Sequence, residues 1–419
     1  MTKKLAIGFI SFRFAGTDGV SLETEKWANV LEGMGHTCYY FAGELDRPPD
    51  RSFLVSEAHF THPEIRDIYV RCYGDEKRSS AVTRKIMSYK ELLKEQLYKF
   101  KHEFGIDLFI TENALSIPLN IPLSLAITET ISETGTYTIG HHHDFYWERK
   151  RFMVNSIWEY INMAFPPHIP NVYHVVINSS AANQLSLRTG ISSTIVPNIM
   201  DFHNPPPAVD KYSEDVREAL EIDDDESFIL QPTRVVPRKG IEHAIELVSR
   251  LGLKSKLIIS HASGDEGYDY EKRIREYSQI MNVNTLFVSD VIGEHRSQTE
   301  DGRKIYALND IYPHADLITY PSNFEGFGNA FLEAIYFKKP IVVNDYLIYT
   351  IDIKPKGFKV IEMPGYVSTN VIRATRAVVM NKEMRREYVE HNYHLGRKYY
   401  SYPVLERKLN ALITDCFGI

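Results

Sequence analysis

The sequence predicts an α/β protein made of two Rossmann-like domains, each built on a parallel β-sheet with helices on both faces. Short apolar runs of strand length alternate with segments of helical periodicity, which is the pattern of a doubly wound sheet. The pattern runs from residue 5 to about residue 178 and starts again at residue 228. A length of 419 residues also suits two domains better than one.

Composition narrows the class of protein further. The chain is 43% hydrophobic and 25% charged, as in ordinary globular proteins, and its net charge of −7 gives no general support for nucleic-acid binding. The three cysteines form no CxxC pair, which argues against a disulfide framework or a cysteine zinc site. No apolar run is long enough to span a bilayer. We therefore expect a cytoplasmic enzyme with reduced thiols and no integral membrane segment.

The first domain begins with a strand, a loop, a helix and a second strand. Residues 5–10 form a continuous apolar run, residues 27–34 carry apolar side chains at helical spacing, and Gly35 is a suitable helix end. Residues 38–41 form the next apolar run. Further strands are predicted at residues 108–111, 137–140 and 175–178, and a helix at residues 88–104.

The second domain repeats this pattern after a linker. The proline-rich residues 204–207 and the acidic residues 223–225 are typical of a linker and a solvated turn. Strands are then predicted at residues 228–231, 257–260, 286–289, 317–320 and 341–343, with a helix from 241 to 248 and a last helix from 403 to 415. We assign the first domain to residues 1–200 and the second to 201–399. The C-terminal helix, about 400–419, is expected to pack back on the first domain.

The strongest motif follows the predicted strand 317–320 and opens a helix. It reads Ser322-Asn-Phe-Glu-Gly-Phe-Gly-Asn-Ala-Phe-Leu-Glu333. Gly326 and Gly328 allow a ligand to approach the backbone, and a helix N-terminus offers free N–H groups to a diphosphate. Glu325 and Glu333 bracket the turn, where carboxylates can bind sugar hydroxyls. The alternative is a glycine turn with a capping glutamate, which the second glutamate disfavours.

A basic motif follows the predicted strand 228–231. Arg234 and Lys239 flank a turn that leads into a helix, in the segment Thr233-Arg-Val-Val-Pro-Arg-Lys-Gly240. Two cations at the carboxyl end of a strand suit a diphosphate leaving group. A solvated basic loop is the alternative.

In this order and spacing, the two motifs resemble those of the retaining glycosyltransferases of family 4, which have the GT-B fold of two Rossmann-like domains facing across a central cleft. The resemblance covers essentially the whole chain. It implies that Arg234 and Lys239 grip the donor diphosphate, that Glu325 contacts the donor sugar and that Glu333 contacts the ribose. The remaining donor-binding residues that it implies are Gly19, Val291, Gly326, Phe327, Gly328 and Asn329.

A histidine-rich segment, His141-His-His-Asp144, follows the predicted strand 137–140. Three histidines suggest a metal site, but adjacent residues in extended chain point to opposite faces, so all three rarely bind one ion. A structural histidine cluster is another alternative, and we predict no metal ligand. The resemblance places a histidine of this loop beside the transferring sugar, where His143 fits best. The acceptor-binding residues that it implies are Arg13, His142, Asp144, Tyr146 and Arg149.

The resemblance implies retaining transfer of a hexose from a nucleotide-diphosphate sugar to a small acceptor, a phosphorylated or carboxylated glycoside. The catalytic residues would be His143, Arg234, Lys239 and Glu325, with no required cofactor and Mg²⁺ at most stimulatory. Two loops are similar to those of bacterial and archaeal members that make small glycosides, such as mannosylglucosyl-3-phosphoglycerate synthases. One departure concerns residues 344–349, which read Asn-Asp-Tyr-Leu-Ile-Tyr where family members often carry a glycine-rich turn. This departure leaves the donor open.

Two other functions fit the same architecture. One is a nucleotide-sugar 2-epimerase or another GT-B enzyme such as a phosphorylase, and the other is a catalytically silent protein that binds sugar nucleotides. The intact set of two cations and two glutamates argues against the silent protein. A dehydrogenase is disfavoured because no GxGxxG segment follows a strand.

Overall fold

The computed structural model describes residues 4–16, 18–262, 268–293 and 295–418. The chain divides into two compact units. The first unit combines Met1–Asn198 with Tyr402–Ile419, and the second is Ile199–Ser401. Each unit contains its own parallel sheet.

The first unit is built on a seven-stranded parallel sheet of order β3-β2-β1-β4-β5-β6-β7. Its strands are β1 (Ala6–Ile10), β2 (Thr37–Ala42), β3 (Ser52–Leu54), β4 (Leu108–Glu112), β5 (Tyr137–His142), β6 (Val172–Val176) and β7 (Thr194–Ile195). Its helices are α1 (Gly19–Gly33), α2 (Pro63–Cys72), α3 (Ser80–Glu103), α4 (Ile121–Thr134), α5 (Trp158–Ala164) and α6 (Ser179–Thr189).

Central strands of this sheet are buried on both faces, which explains their unbroken apolar sequence. All five residues of β4 are buried, and helix α3 packs closely over β1. Gly8 permits this approach, because a Cβ atom there would lie 2.7 Å from the ring of Phe100. The chain leaves β1 towards β2 and returns to its other side at β4. Open sheets of this kind bind ligands at the carboxyl ends of the strands where the order reverses.

The second unit is built on a six-stranded parallel sheet of order β10-β9-β8-β14-β15-β16, with a separate three-stranded sheet of order β11-β13-β12. Its strands are β8 (Ser227–Gln231), β9 (Ser255–Ile259), β10 (Thr285–Phe287), β11 (Ile292–Gly293), β12 (Ser297–Gln298), β13 (Lys304–Ala307), β14 (Leu317–Tyr320), β15 (Ile341–Asn344) and β16 (Ile361–Met363). Its helices are α7 (Val216–Ala219), α8 (Ile241–Leu251), α9 (Asp269–Ile280), α10 (Leu308–Ile311), α11 (Asn329–Tyr336), α12 (Thr369–Met380) and α13 (Lys382–Tyr399).

The last helix, α14 (Tyr402–Phe417), belongs to the first unit and packs against α1. Tyr173 Oη donates a hydrogen bond to the carbonyl oxygen of Asp415 at 2.8 Å, and Lys408 Nζ donates to that of Ile195 at 2.7 Å. Within the described ranges, no helix combines the length and apolar character needed to cross a bilayer.

Several boundaries differ from the sequence prediction. Strand β6 ends at Val176 rather than at residue 178, because the side chain of Asn178 caps α6 by accepting a hydrogen bond from the Ala181 N–H at 2.7 Å. Helix α3 begins eight residues before the predicted start of 88, at a cap formed by Ser79. Helix α13, Lys382–Tyr399, was not predicted from the sequence. Residues 223–225 are exposed, as expected of a solvated turn.

Candidate active site

In the second unit, the predicted motifs lie at the point where the strand order reverses. The chain leaves β8 towards β9 and returns on its other side at β14, so the loops after β8 and β14 are neighbours. The N–H of Asn323 donates to the carbonyl oxygen of Arg238 at 2.8 Å. Gly240 has a φ of 60°, and a Cβ atom there would lie 2.6 Å from the Pro321 carbonyl oxygen. The structure therefore needs glycine at this position for the two loops to touch.

Lys239 and Glu325 form an ion pair at this junction. Lys239 Nζ binds Glu325 Oε1, and both side chains are only 10% exposed. Arg238 Nη1 lies 3.3 Å from Glu325 Oε2. Burial lowers the pKa of Lys239, and the charge of Glu325 offsets part of that effect. Burial would raise the pKa of Glu325, but Lys239 and Arg238 hold it below its ordinary value. The predicted phosphate-binding lysine and the predicted sugar-binding glutamate are thus charged partners of each other.

Arg234 differs from Lys239 because its side chain is exposed. Among the described residues it has no ion-pair or hydrogen-bond partner. Its neighbourhood includes His261, which follows β9: burial, together with the charges of Lys239 and Arg234, lowers the pKa of His261 to about 4. His261 was not among the residues predicted from the sequence, although its position directly after a predicted strand was a usable signal. Arg234 and Lys239 therefore place positive charge beside His261 at the carboxyl ends of β8 and β9.

The glycine turn before α11 is braced by two buried tyrosines. Gly328 has a φ of 119°, and a Cβ atom there would lie 2.6 Å from Tyr346 Oη and 3.1 Å from Tyr320 Oη. Tyr346 Oη donates to the carbonyl oxygen of Phe327 at 2.8 Å. The ring of Phe327 is 3% exposed and packs against Tyr400, so this side chain faces the core of the unit rather than a ligand. The predicted donor contact in this turn is therefore left to the backbone of residues 326–329, which leads into the N-terminus of α11.

The segment that departs from the glycine-rich pattern supports this same turn. Asn344 Nδ2 donates to the Ser322 carbonyl oxygen and to Asn323 Oδ1, each at 3.1 Å. Asn344 Oδ1 accepts from the N–H of Gly365 at 2.9 Å. Together with Tyr346, Asn344 holds the loop after β14 in place from the neighbouring strand. The residues that replace the glycine-rich turn therefore support the loop that carries Glu325.

Glu333 and Val291 lie further along the unit. Glu333 is half-buried in the second turn of α11, and its Oε2 accepts a hydrogen bond from the buried Tyr312 Oη at 2.6 Å. Val291 is half-buried in the turn before β11, and its carbonyl oxygen accepts from the N–H of Tyr306 at 2.9 Å. Tyr312 therefore orients the Glu333 carboxylate, a partner that the sequence did not reveal.

In the first unit, His141 and His142 end β5 and His143 follows it, and the three side chains alternate between the two faces of the sheet. His141 Nδ1 and His143 Nε2 each lie 2.9 Å from Glu112 Oε2 at the end of β4. His142 Nε2 instead donates to His174 Nδ1 at 2.9 Å, because His174 Nε2 donates to the Pro167 carbonyl oxygen. His142 is fully buried, so its ring is not open to an acceptor.

Glu112 is a fully buried carboxylate. Burial alone would raise its pKa, but His141 and His143 hold that pKa at about 2. The possible ligand atoms of Glu112, His141 and His143 lie within 4.8 Å of one another, a spacing that a metal ion can bridge. Both rings already hydrogen-bond to the carboxylate, so we interpret this cluster as a carboxylate–histidine ion pair.

The predicted acceptor arginines are each paired with a nearby aspartate. Arg13 Nη2 lies 3.3 Å from Asp18 Oδ2, and Asp18 also caps α1, whose first residue, Gly19, is exposed. Arg149 Nη2 lies 2.5 Å from Asp144 Oδ2. The side chains of Arg13 and Arg149 are 35% and 38% exposed, so both guanidinium groups are accessible. The half-buried Tyr146 lies two residues after Asp144.

Comparison with known proteins identifies the family of the chain. Residues 213–395 match the family model described as "Glycosyl transferases group 1". The chain is 32% identical to a mannosylglucosylglycerate synthase of Thermotoga maritima, over 96% of this chain and 98% of that protein. It is also 32% identical to a mannosylglucosylglycerate synthase of Petrotoga mobilis, over 86% of each chain. A mannosylglucosyl-3-phosphoglycerate synthase of Petrotoga mobilis matches 46% of this chain at 29% identity.

Solved structures confirm the predicted fold. A sucrose-phosphate synthase from Thermosynechococcus elongatus covers 99% of this chain with a TM-score of 0.69 at 14% identity. The Anabaena protein HepE, solved in complex with UDP-glucose, covers 98% with a TM-score of 0.64 at 10% identity. These structures share the fold of two Rossmann-like domains. Since one-third identity to a synthase extends over almost the whole chain, this protein is a glycosyltransferase and belongs to the group 1 glycosyltransferase family.

Proposed function

We propose that this glycosyltransferase moves a hexose, with retention of configuration, from a nucleotide-diphosphate sugar to a small glycoside that carries a carboxylate. The observation that carries the proposal is the buried Lys239–Glu325 pair beside the exposed Arg234, at the strand-order reversal of the second unit. Two cations and one carboxylate at this edge match the charges of a sugar diphosphate and its hydroxyl groups.

The donor would bind through the second unit. Arg234 is available to the diphosphate without breaking an existing ion pair among the described residues. Lys239 carries three N–H donors, so it can bind a phosphate oxygen while keeping Glu325 as a partner. Glu325 then faces the sugar next to that phosphate. Glu333, oriented by Tyr312, would bind the ribose hydroxyls.

In the proposed reaction, the bond between the sugar and the diphosphate breaks as the acceptor hydroxyl attacks from the same face. Arg234 and Lys239 stabilise the negative charge that develops on the departing diphosphate. The departing phosphate oxygen takes the proton of the acceptor hydroxyl, so no protein side chain is assigned as general base. Because two side-chain cations compensate the charge, we propose that no metal ion is required.

The acceptor would bind through the first unit. Arg13 and Arg149 are exposed enough to bind an anion, and each already pairs with a carboxylate, that of Asp18 or Asp144. The nearly full-length relatives are named as mannosylglucosylglycerate synthases, and we propose a product of this class. The acceptor would then be a glucosylglycerate, without the phosphate of the partial relative's product.

A panel of donors and acceptors tests the proposal. UDP-, GDP- and ADP-sugars are incubated with glucosylglycerate, with its 3-phosphate and with the uncharged glucosylglycerol, and products are identified by NMR. We expect transfer to glucosylglycerate with the donor's anomeric configuration retained. An inverted product would contradict the retaining mechanism. Nucleotide release with an isomerised free sugar would indicate an epimerase, and binding without turnover would indicate a silent protein.

A further inference from the structure

Glu112 and the histidine segment meet because of the register between two strands. Glu112 in β4 lies directly opposite His141 in β5, so the two side chains share one face of the sheet. His143 is two residues further along and returns to that face. The carboxylate therefore receives one imidazole N–H from its cross-strand neighbour and a second from His143.

We infer that Glu112 is a positioning residue for His143: it anchors Nε2 of the ring and directs Nδ1–H towards an oxygen of the bound substrate. The inference rests on the proposed function, since that function places His143 beside the substrate. His143 Nδ1 has no hydrogen-bond partner among the described residues, and the side chain is 8% exposed. Nε2 of His143 is thus hydrogen-bonded to Glu112, while Nδ1 is available to a ligand.

The backbone of His143 is held by Asn113, the residue that follows Glu112 at the end of β4. Asn113 Oδ1 accepts hydrogen bonds from the N–H groups of His143, at 2.7 Å, and Asp144, at 3.4 Å. Asn113 itself has a φ of 57°, and its N–H donates to the His141 carbonyl oxygen at 3.0 Å. Residues 112 and 113 therefore fix both the ring and the main chain of His143. Such double restraint is what pre-organisation of a substrate-binding group requires.

The charges around Glu112 select which ring is protonated. A buried carboxylate needs a compensating cation. Burial lowers the pKa of His141, whose ring stacks on Trp27 with centroids 4.1 Å apart. Burial also opposes protonation of His143, but the hydrogen bond and charge of Glu112, with the charges of Glu23 in α1 and Asp144, raise its pKa above the ordinary value. These opposite directions favour His143 over His141 as the ring that carries the compensating proton.

The first test is a histidine NMR titration of the full-length enzyme, with the His143 signal assigned by its loss in His143→Gln. We expect the wild-type His143 ring to titrate above the ordinary value of about 6.5. In Glu112→Gln, which keeps the shape but removes the charge, the titration should move below that value. Glu129→Gln is the matched control, because Glu129 is a partly buried, ion-paired carboxylate of the same unit that binds Lys90 and Lys94 rather than a histidine.

The second test is the pH dependence of kcat with the best substrate pair. If a protonated His143 is the active form, kcat falls as the pH rises through the pKa of His143. In Glu112→Gln this fall should occur at lower pH, so the defect should be on the order of tenfold or more at pH 8 and should shrink towards pH 5.5. A purely structural role of Glu112 would instead lower kcat equally at every pH.

The outcomes separate this inference from the proposed function. A His143 that titrates at or below the ordinary value in the wild-type enzyme overturns the inference even if transfer is observed, and this measurement does not depend on the Glu112 variant folding. An unchanged pH profile in a folded Glu112→Gln enzyme overturns it as well. If no acceptor is glycosylated but the titration is as expected, the ion pair stands and the proposed acceptor class fails.

Discussion

Lys239 and Glu325, which belong to two motifs 86 residues apart in sequence, bind each other as a buried ion pair. Each side chain keeps its partner charged in a place where burial favours the neutral form. Removal of either partner therefore has two effects. One is the loss of a proposed substrate contact, and the other is an unpaired buried charge. Experiments on this site need controls that separate these effects.

Replacement of the lysine tests the proposed diphosphate contact. Lys239→Ala should lower turnover by on the order of a hundredfold or more, because loss of a pre-placed charge at a leaving group costs about 3 kcal/mol. Steady-state kinetics with the nucleotide sugar measures this effect. Lys338→Ala is the control, since Lys338 forms an ion pair with Glu390 at the surface of the same unit. Near wild-type turnover of a folded Lys239→Ala enzyme would rule out the assignment.

The two glutamates of the glycine-turn motif should have separable roles. Glu333→Ala should weaken binding of the bare nucleoside diphosphate by roughly 1.5–3 kcal/mol, the value of a lost hydrogen bond to a charged group. Glu325→Ala should leave that binding nearly intact and lower transfer from the complete donor, because its contact serves the reacting sugar. Calorimetry with the diphosphate is compared with kinetics on the sugar nucleotide.

Tyr312→Phe tests the role of Glu333 more finely. It removes the hydroxyl that donates to Glu333 Oε2 and leaves the ring in place, so it should weaken diphosphate binding less than Glu333→Ala does. If the Glu325 and Glu333 variants both bind the diphosphate like wild type and differ only in folding stability, the two glutamates are structural. The proposed roles would then fail.

The proposed acceptor contact predicts a change in KM rather than in donor affinity. Arg149→Gln should raise the KM for glucosylglycerate about tenfold or more. The KM for uncharged glucosylglycerol should rise much less, because only glucosylglycerate has a carboxylate that can bind Arg149. Arg71→Gln is a matched control, since Arg71 also pairs with an aspartate, Asp67, in the same unit. An equal rise in KM for both acceptors would argue against carboxylate recognition by Arg149.

Removal of divalent metal ions tests the proposed charge compensation by side chains. Activity should survive treatment with EDTA, because Arg234 and Lys239 supply the positive charge that a bound metal would otherwise provide. Initial rates are measured in EDTA and then with Mg²⁺ or Mn²⁺ added back. A moderate stimulation by metal is compatible with the proposal. Complete loss that only a divalent ion restores would show that a metal is part of the mechanism.

Much of the fold was predictable from local patterns in the sequence. Buried parallel strands need continuous apolar runs, and the helices between them need apolar residues at helical spacing, so the two-domain α/β class follows directly. The motif residues Arg234, Lys239, Glu325 and Glu333 could also be placed correctly after strands β8 and β14, because turns with glycine and charge interrupt the apolar pattern there. Element ends were less accurate, as at β6 and α3, because caps and side-chain contacts decide them.

The sequence alone thus determined the class of fold, the family and the strand ends at which charged residues gather. Only the tertiary structure decided which of those residues meet. Strand order brings β8 beside β14, and strand register places Glu112 opposite His141, and neither property is encoded by local periodicity. The supporting roles of Asn344, Tyr346 and Tyr312 have the same origin. They depend on contacts between segments distant in sequence, which form only when the sheet is assembled.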